Sequence, residues 1–392
     1  MAKLRAVNLA ILMGLSCAGP GCGDDSPHDQ NNNTNDNQAA DAGVSDASID
    51  AGPGADAGAD AAVATGWVVT TDYVQPFMPN IAAHPTDPST VALLGSAEDW
   101  YPLLEVWLTT NGADFDPTPI LSFTPVTGML GTPMGLAFDP ADGDRLVGGM
   151  SMVPPPQAGQ EWIHIRSDDG GSSFTPSTAV FTNPWPPDEL RFVGGTQSEL
   201  IYRAGQQFHF STSLGAAFER TADLDPLPVD CDGIAGFDVP ADDHDTVAIW
   251  CDNGNSFICS LAADSCTLIP IAGQVGVIWA VFAPSNPALM FLQTNCDCGW
   301  GLFRSTDGGL STSQVYSFEG DLIRVAPNDE QRVCALHRWN ELHCSKDGGG
   351  SWSLMTPSLA PPVSNLIHDF AFGANGGIWA VTLNEVIHHP PW

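Results

Sequence analysis

The sequence has few basic residues, and this scarcity limits the partners that the protein can have. Of 392 residues, 12 are lysine or arginine and 46 are aspartate or glutamate, which gives a formal net charge of −34. Lysine occurs only at Lys3 and Lys346. Nucleic acids and anionic lipid surfaces are bound through clustered lysine and arginine side chains. The composition therefore argues against nucleic acid or an anionic membrane surface as a partner.

Long apolar runs and helical periodicity are also missing beyond the first residues. No later segment approaches the roughly 18 continuous apolar residues of a membrane-spanning helix. No window repeats apolar residues at positions i, i+3 and i+4 for long enough to predict an amphipathic helix. From Gly66 onward, short runs of apolar and aromatic residues fill a stretch long enough for one large core. These patterns predict an all-β domain over residues 66–392.

Residues 1–22 have the layout of a secretory signal. A basic start with Lys3 and Arg5 is followed by an apolar run from Ala6 to Leu15 that only Asn8 interrupts. Such a run is too short to cross a bilayer and is typical of a signal peptide. We therefore predict an exported protein.

Two cysteines beside small residues, Cys17 and Cys22, follow this apolar run. The arrangement resembles the lipobox of bacterial lipoproteins, in which the cysteine becomes the acylated first residue of the mature chain. The resemblance implies lipid attachment at Cys22 or Cys17, a place at the outer membrane or cell surface, and membrane contact only through that anchor. Because Cys17 lacks a leucine three positions earlier and Gly-Pro-Gly precedes Cys22, a cleaved signal and a freely secreted protein are the alternative.

Residues 23–65 differ from the rest of the chain in composition, being mostly Asn, Asp, Ala, Gly and Ser. The segment has no aromatic residue, no lysine and no arginine. It cannot bury enough apolar surface to offset the entropy of ordering. We predict a disordered linker that tethers the folded domain away from a membrane.

The cysteines after the linker are even in number, which in an exported chain predicts disulfides. Cysteines that flank short turns can face each other across a hairpin. We predict the pairs Cys334–Cys344 and Cys259–Cys266 on this ground, with Cys231–Cys251 as a third candidate. Cys296 and Cys298 can form a small local ring; zinc is the alternative there, but the wider spacing pattern of a zinc site is missing.

A short motif recurs along the domain with the spacing Ser-x-Asp-x-Gly-x-x-aromatic. Two copies match in full, at Ser167, Asp169, Gly171 and Phe174, and at Ser345, Asp347, Gly349 and Trp352. A third copy keeps Ser305, Asp307 and Gly309 but has Thr312 in the aromatic position, and a fourth keeps Ser211, Gly215 and Phe218 with serine in place of aspartate. Shortened or degenerate versions occupy residues 109–115 and 260–266.

This motif has a local physical basis. Short serine and aspartate side chains hydrogen-bond backbone groups inside a tight turn, and glycine adopts a conformation that other residues resist. The motif resembles the Asp-box, or BNR, repeat of sialidases, sortilin-type receptors, family 74 glycoside hydrolases and photosystem assembly factors. In those families the box is structural, so the resemblance implies a β-propeller and no particular activity.

A second periodic element predicts the number of blades. Short apolar runs such as Phe138-Asp-Pro140 are each followed by a polar turn and another apolar strand, and these units begin near residues 81, 135, 191, 236, 278, 323 and 369. This period, with four short strands in each unit, is typical of a β-propeller. We predict seven four-stranded blades, with six or eight as alternatives. The isolated strand at Trp67 is expected to complete the last blade and close the ring.

In Asp-box propellers, the box turns lie on one face, and ligands usually bind the other face, which carries the second-to-third-strand loops and the blade-to-blade loops. The resemblance implies a ligand face with aromatic residues beside carboxylates: Asp99, Trp100, Tyr101, Trp185, Asp188, Asp297, Trp300, Trp339 and Glu341. This composition suits a carbohydrate cleft, where rings stack on sugars and two acids perform acid–base chemistry. Tryptophan also commonly closes small blades, so a structural role is the alternative.

Clustered aspartates make calcium a candidate cofactor, because oxygen ligands suit this ion. The clusters are Asp139, Asp142 and Asp144; Asp230 and Asp232; and Asp242, Asp243 and Asp245. Aspartate is also favoured in turns after strands, and none of these clusters has the spacing of an EF-hand. Near the C-terminus, His388 and His389 are expected to be solvated.

The sequence leaves two functions open. The first is a non-enzymatic cell-surface or secreted propeller that binds a protein, peptide or glycan through its loop-rich face. The second is an extracellular glycoside hydrolase, similar to family 74, that uses acidic residues on that face. A sialidase is disfavoured, because that family holds its substrate with three arginines and has an Arg-Ile-Pro motif near the first blade. Here no arginine lies between Arg5 and Arg145, and the motif is absent.

Overall fold

The structure is a computed structural model that describes residues 67–72, 77–96, 104–112, 115, 118–123, 131–152, 160–181, 189–193, 199–240, 243–271, 276–296, 299–317, 320, 322–337, 341–355, 366–382 and 385–392. Within these ranges the chain forms strands, turns and bends, and no helix. Accordingly, no described segment is a helix that could cross a membrane. The predicted signal segment 1–22 and linker 23–65 lie outside the described residues and stay predictions.

The strands form seven antiparallel sheets of four strands each, so the prediction of a seven-bladed propeller is confirmed. Blades 1 to 4 consist of β2 Phe77–Ala83, β3 Val91–Ser96, β4 Leu104–Thr109 and β5 Leu121–Phe123; β6 Gly131–Phe138, β7 Leu146–Met152, β8 Gln160–Ser167 and β9 Thr175–Phe181; β10 Glu189–Val193, β11 Glu199–Ala204, β12 Gln207–Ser211 and β13 Arg220–Asp223; and β14 Ile234–Asp238, β15 Thr246–Cys251, β16 Ser256–Ser260 and β17 Ser265–Leu268. Blades 5 to 7 consist of β18 Val277–Ala283, β19 Asn286–Cys296, β20 Gly299–Ser305 and β21 Ser313–Tyr316; β22 Leu322–Ala326, β23 Asp329–His337, β24 Glu341–Ser345 and β25 Ser353–Leu354; and β26 Ile367–Phe372, β27 Ile378–Thr382, β28 Glu385–His389 and β1 Val68–Asp72.

The second strand of blade 1 is apolar over Val91–Leu94 because both of its faces are buried. In β3, Val91 and Leu93 pack toward blade 7, whereas Ala92 and Leu94 pack toward blade 2. Successive side chains of a strand point to opposite faces of the sheet, so a run without alternation places apolar groups on both. Each full burial of such a side chain contributes about 1.5–3 kcal/mol.

The hydrophobic core is divided into layers between blades. The described residues form seven clusters of buried apolar side chains, and each cluster joins two neighbouring blades. The cluster between blades 7 and 1 contains Trp379 and Val381 together with Ile81 and Trp107. Every blade therefore depends on both neighbours to cover its faces, and the series closes on itself.

The N-terminal strand closes the ring, as the sequence predicted. β1 pairs with β28 in antiparallel register, from Val68 opposite His388 to Asp72 opposite Glu385. β1 thus supplies the fourth strand of blade 7, which joins the two ends of the described domain in one sheet. The expectation that His388 is solvated holds only in part, because the residue is half-buried and its ring stacks on Trp379 with centroids 4.2 Å apart.

Four of the turns between third and fourth strands, in blades 2, 3, 5 and 6, share a hydrogen-bond pattern. In the turn after β20, Ser305 Oγ donates to Asp307 Oδ1 at 2.8 Å and accepts the Gly309 N–H at 2.8 Å. Asp307 also accepts from the Ser311 N–H and hydroxyl. The same set of bonds occurs at the turns that begin at Ser167 and Ser345. In the turn at Ser211, Ser211 Oγ accepts the Gly215 N–H in the same way. Ser213 stands in the position of the aspartate, and its hydroxyl accepts the Ala217 N–H.

A second hydrogen bond ties these turns to the turn between first and second strands. Gly308 N–H donates to Ala288 O at 2.8 Å, and Gly348 N–H donates to Gln331 O at 2.9 Å. Both kinds of turn therefore lie on one edge of the propeller, which we call the turn edge. The second-to-third-strand and blade-to-blade connections leave the opposite edge, which we call the loop-rich edge.

Two adjacent glycines in the turn after β20 should differ in their tolerance of alanine. Gly309 has φ +92°, and an added Cβ would lie 2.9 Å from Ile258 Cγ1, whereas Gly308 has φ +70° and nothing within 4 Å. We expect Gly308→Ala to cost about 1–2 kcal/mol of unfolding free energy, the usual cost of a left-handed L-residue. Gly309→Ala should cost roughly 1–3 kcal/mol more, because the added methyl overpacks the site. Guanidinium unfolding of both variants measures the difference, and equal losses would contradict this account.

Candidate functional site

Most of the residues predicted for the ligand face lie outside the described part of the chain. These are Asp99, Trp100, Tyr101, Trp185, Asp188, Asp297 and Trp339. Trp300 and Glu341 are described, and both stand at the loop-rich edge, where β20 and β24 begin. Trp300 is partly buried and pairs with Asn295 across blade 5. Glu341 belongs to a cluster of side chains that the sequence analysis did not identify.

Strand register in blade 6 builds this cluster. Cys334 on β23 lies opposite Cys344 on β24, so His337 lies opposite Glu341 and Ala335 lies opposite His343. Side chains two residues apart on a strand share a face. His337, Glu341 and His343 therefore project together on the face opposite the disulfide. We call these three residues the His–Glu–His cluster.

The cluster is held by hydrogen bonds to one carboxylate oxygen. Glu341 Oε2 lies 2.7 Å from His337 Nδ1 and 3.4 Å from His343 Nε2. The two imidazole rings meet edge to face, with centroids 5.8 Å apart. Their side chains are 17% and 13% exposed, while Glu341 is 41% exposed. The imidazoles thus form the covered floor of the cluster, and the carboxylate faces solvent.

Blade 5 contributes the aromatic support of the cluster. The Tyr316 hydroxyl, from the outer strand β21, lies 3.2 Å from His343 Nδ1. The Tyr316 ring also stacks on Trp352, with centroids 5.4 Å apart. Trp352 is in turn anchored by its Nε1–H, which donates to Gly349 O at 3.1 Å. This chain of contacts links the turn edge of blade 6 to the His–Glu–His cluster.

The electrostatics of the cluster favour an ionised carboxylate and a neutral imidazole. Hydrogen bonds from His337, and then from His343, lower the pKa of Glu341. Burial lowers the pKa of His343, and the nearby Glu341 carboxylate only partly opposes this effect. The cluster therefore favours an ionised Glu341 carboxylate beside a neutral His343 imidazole.

Three of the aspartates singled out as calcium candidates, Asp139, Asp142 and Asp243, accept hydrogen bonds from the backbone of their own turns. Asp139 Oδ1 accepts the Ala141 N–H at 2.9 Å, and Asp243 Oδ1 accepts the Asp245 N–H at 3.0 Å. Within the described ranges, the His–Glu–His cluster is the one group of three histidine, cysteine, aspartate or glutamate side chains close enough to share a metal ion. Calcium stays a prediction.

A buried carboxylate near the propeller axis has a structural role. Asp238 on β14 contacts Arg191 of blade 3 at 3.1 Å and accepts the Phe282 N–H of blade 5 at 2.7 Å. Burial raises the pKa of Asp238 to about 6, against the opposing effect of Arg191. Its oxygens bind the inner strands on either side, so Asp238 joins three blades.

The disulfides support the prediction drawn from the cysteine pattern. Cys231–Cys251, Cys259–Cys266 and Cys334–Cys344 are all bonded. Cys298 lies outside the described residues, so the predicted ring at Cys296 stays a prediction. Disulfides of this kind persist in oxidising compartments, which is compatible with an extracellular protein.

The fold defines this protein as a seven-bladed β-propeller, and solved propellers are its structural neighbours. It is similar to YCF48 from Cyanidioschyzon merolae at 13% identity and a TM-score of 0.57, covering 83% of this chain and 98% of that one. It is also similar to YCF48 bound to D1 peptide, at 12% identity and a TM-score of 0.54, covering 82% of this chain and 95% of that one.

A third neighbour is the GH74 xyloglucanase from Xanthomonas campestris, at 15% identity and a TM-score of 0.53. The match covers 81% of this chain and 53% of the enzyme, so the chain spans about half the length of that protein. No protein-family model and no curated protein matches the sequence. At these identities the likeness shows the fold alone, and the Asp-box resemblance stays a prediction.

The disulfide behind the cluster should stabilise the hairpin that carries it. Cys334 and Cys344 are separated by 10 residues, and closing a loop of this size restricts the unfolded chain by about 2–3 kcal/mol. We expect Cys334→Ala/Cys344→Ala to lower the free energy of unfolding by about that amount. Guanidinium unfolding without reductant measures the loss. Cys259→Ala/Cys266→Ala removes a second hairpin disulfide, in blade 4, and serves as the comparison. An unchanged midpoint for the blade 6 variant would contradict the prediction.

Proposed function

We propose that this protein is an exported, non-enzymatic β-propeller that binds a protein or peptide through its loop-rich edge. The observation that carries this proposal is the difference between the two edges of the ring. In the turn-edge hairpins, the serine, aspartate and glycine groups hydrogen-bond one another, as at Ser305, Asp307 and Gly309. Such hairpins maintain the scaffold and leave recognition to the opposite edge.

The connections at the loop-rich edge have the composition of a recognition surface. Segments 97–103, 124–130, 153–159 and 182–188 join strand ends there, and none contains lysine or arginine. Two of them carry tryptophan beside aspartate, at Asp99 and Trp100 and at Trp185 and Asp188. Tryptophan and tyrosine are typical of the energetic centres of protein interfaces. With a formal net charge of −34, this protein should favour a partner with a basic contact surface.

A peptide-binding role is consistent with the structural neighbours, which include a YCF48 structure with a bound D1 peptide. That likeness concerns the fold, so it makes peptide binding a reasonable use of the scaffold and does not identify a partner. Export is supported independently, by the basic and apolar start of the chain and by the disulfides. We propose attachment to the membrane by a lipid on Cys22 or Cys17.

Glycoside hydrolysis is the competing function. A general acid in such an enzyme needs a raised pKa. Among the described carboxyl groups for which a pKa shift is resolved, Asp238 alone has a raised pKa. Its oxygens accept hydrogen bonds from Arg191 and from the Phe282 N–H. Asp99, Asp188 and Asp297 remain the hydrolase candidates, and they are outside the described residues.

Binding should depend on the tryptophans of the loop-rich edge. The full chain is expressed in a host that exports it and is used to select peptides from a displayed library. The affinity of the selected peptides is then measured by fluorescence anisotropy. We expect Trp300→Ala/Trp339→Ala to weaken binding by roughly 10–30-fold, the effect of removing an interface anchor. Leu310→Ala is the control, because Leu310 is 67% exposed on the turn edge. Affinity should fall as salt is raised, since the attraction is partly electrostatic.

The same protein should release no reducing sugar from xyloglucan, β-glucans or sialosides. Turnover that is lost in Asp99→Asn, Asp188→Asn or Asp297→Asn would replace the binding proposal with a hydrolase. If the affinity of the selected peptides falls for Leu310→Ala and not for the tryptophan variant, recognition lies on the turn edge and the proposal is contradicted.

The mature N-terminus tests the proposal of export with a lipid anchor. We expect mass spectrometry of the native protein to find an acylated cysteine, at Cys22 or Cys17, as the first residue. An unmodified N-terminus that begins after Cys22 would retain export and remove the anchor. A chain that still begins at Met1 would contradict both.

A further inference from the structure

We propose that His337, Glu341 and His343 form a binding site for a divalent transition metal ion, with zinc as the ion that suits the donor set best. Two imidazole nitrogens and one carboxylate oxygen are the donors that zinc takes in sites with three protein ligands. The proposal goes beyond peptide binding and does not depend on it.

The distances between donor atoms are close to those of a metal site. Zinc binds nitrogen and oxygen at about 2.0–2.2 Å, which puts neighbouring ligands of a tetrahedral ion about 3.3–3.6 Å apart. Glu341 Oε2 is 2.7 Å from His337 Nδ1 and 3.4 Å from His343 Nε2, and all three donor atoms lie within 4.8 Å of one another. Small side-chain rotations, with each ring proton moved to the nitrogen that faces away from Glu341, therefore allow bonds to a metal ion in place of the hydrogen bonds.

The backbone already aligns these donors before any ion binds. His337 and Glu341 are a cross-strand pair, and His343 is two residues further along the same face. The Cys334–Cys344 disulfide joins the two strands on the opposite face. A site built on paired strands loses less ordering entropy on binding than one built on loops.

Tyr316 has the position of an outer partner to the proposed metal ligand. A histidine that binds metal through one ring nitrogen usually donates its other ring N–H to an oxygen, which sets its orientation. His343 Nε2 faces Glu341, and His343 Nδ1 lies 3.2 Å from the Tyr316 hydroxyl. We therefore assign Tyr316 as a positioning residue, because it acts through His343.

The donor set discriminates between classes of metal ion. Calcium and magnesium prefer shells made of oxygen ligands, whereas imidazole suits zinc, copper and nickel. Three protein ligands leave one tetrahedral position for water or for a donor atom from outside the chain. The 41% exposed side chain of Glu341 puts that position on the solvent side of the cluster.

The chain offers a matched control with one fewer metal donor. His244 Nδ1 lies 2.9 Å from Glu199 Oε2, which reproduces one histidine–glutamate contact of the cluster. Arg220 approaches the same oxygen at 3.4 Å in place of a second histidine. A guanidinium ion repels a metal cation, so His244→Asn should not change metal binding.

The experiment measures metal affinity directly, with no peptide or substrate present. The full chain without a polyhistidine tag is treated with EDTA, dialysed and titrated with Zn²⁺ by calorimetry and with Co²⁺ by visible absorption. We expect one tight site. Loss of an outer partner of a metal ligand weakens metal affinity by about 10–100-fold. His337→Asn and His343→Asn each remove a ligand itself, so each should weaken zinc binding by more than this. His244→Asn and His389→Asn should bind as the unchanged protein does, and Ca²⁺ and Mg²⁺ should not compete.

Tyr316→Phe separates positioning from folding. We expect zinc affinity to fall by about 10-fold and the Co²⁺ spectrum to shift, because the imidazole loses its oriented partner. The metal-free melting temperature of each variant is the fold control, and Glu341→Gln, which alters an exposed group, replaces any histidine variant that melts early. Wild-type affinity no higher than that of His337→Asn/His343→Asn would overturn the proposal and leave the cluster as a hydrogen-bonded group only.

Discussion

The mutual burial of blade faces is the interaction on which the rest of this structure depends. Each inner strand pair presents apolar side chains on both sides of its sheet, as Val91 and Leu94 do in β3. A single blade would expose both faces to water, so no blade is a stable unit by itself. Only a closed ring covers every face, and the pairing of β1 with β28 achieves the closure.

This requirement leaves the two edges of the ring with different tasks. The turn edge must return the chain to the next strand in a small space, and the serine–aspartate–glycine turns do so with bonds such as Ser345 Oγ to Asp347. The loop-rich edge has no such constraint, so its connections vary in length and composition. The His–Glu–His cluster lies at the loop-rich edge of blade 6. The register of β23 and β24 positions its side chains, and its carboxylate is open to solvent.

Much of the fold was predictable because its causes are local. A turn motif at Ser167 or Ser345 is decided by a few neighbouring residues, and a disulfide such as Cys334–Cys344 spans a single hairpin. The cluster was accessible by the same reasoning, because opposing Cys334 to Cys344 also opposes His337 to Glu341. The cysteine pair predicts the disulfide, and the same strand register, extended by three residues, places His337 opposite Glu341.

The repeating hairpins, the acidic character and the apolar strands can all be read from the amino-acid sequence, since each follows from residues close together in the chain. The contacts between blades became visible only in the folded ring. It brought Tyr316 of one blade to His343 of the next, and it buried Asp238 between Arg191 and the Phe282 N–H. Contacts of this kind arise from the packing of one sheet on another, and no local pattern of residues specifies which side chains that packing brings together.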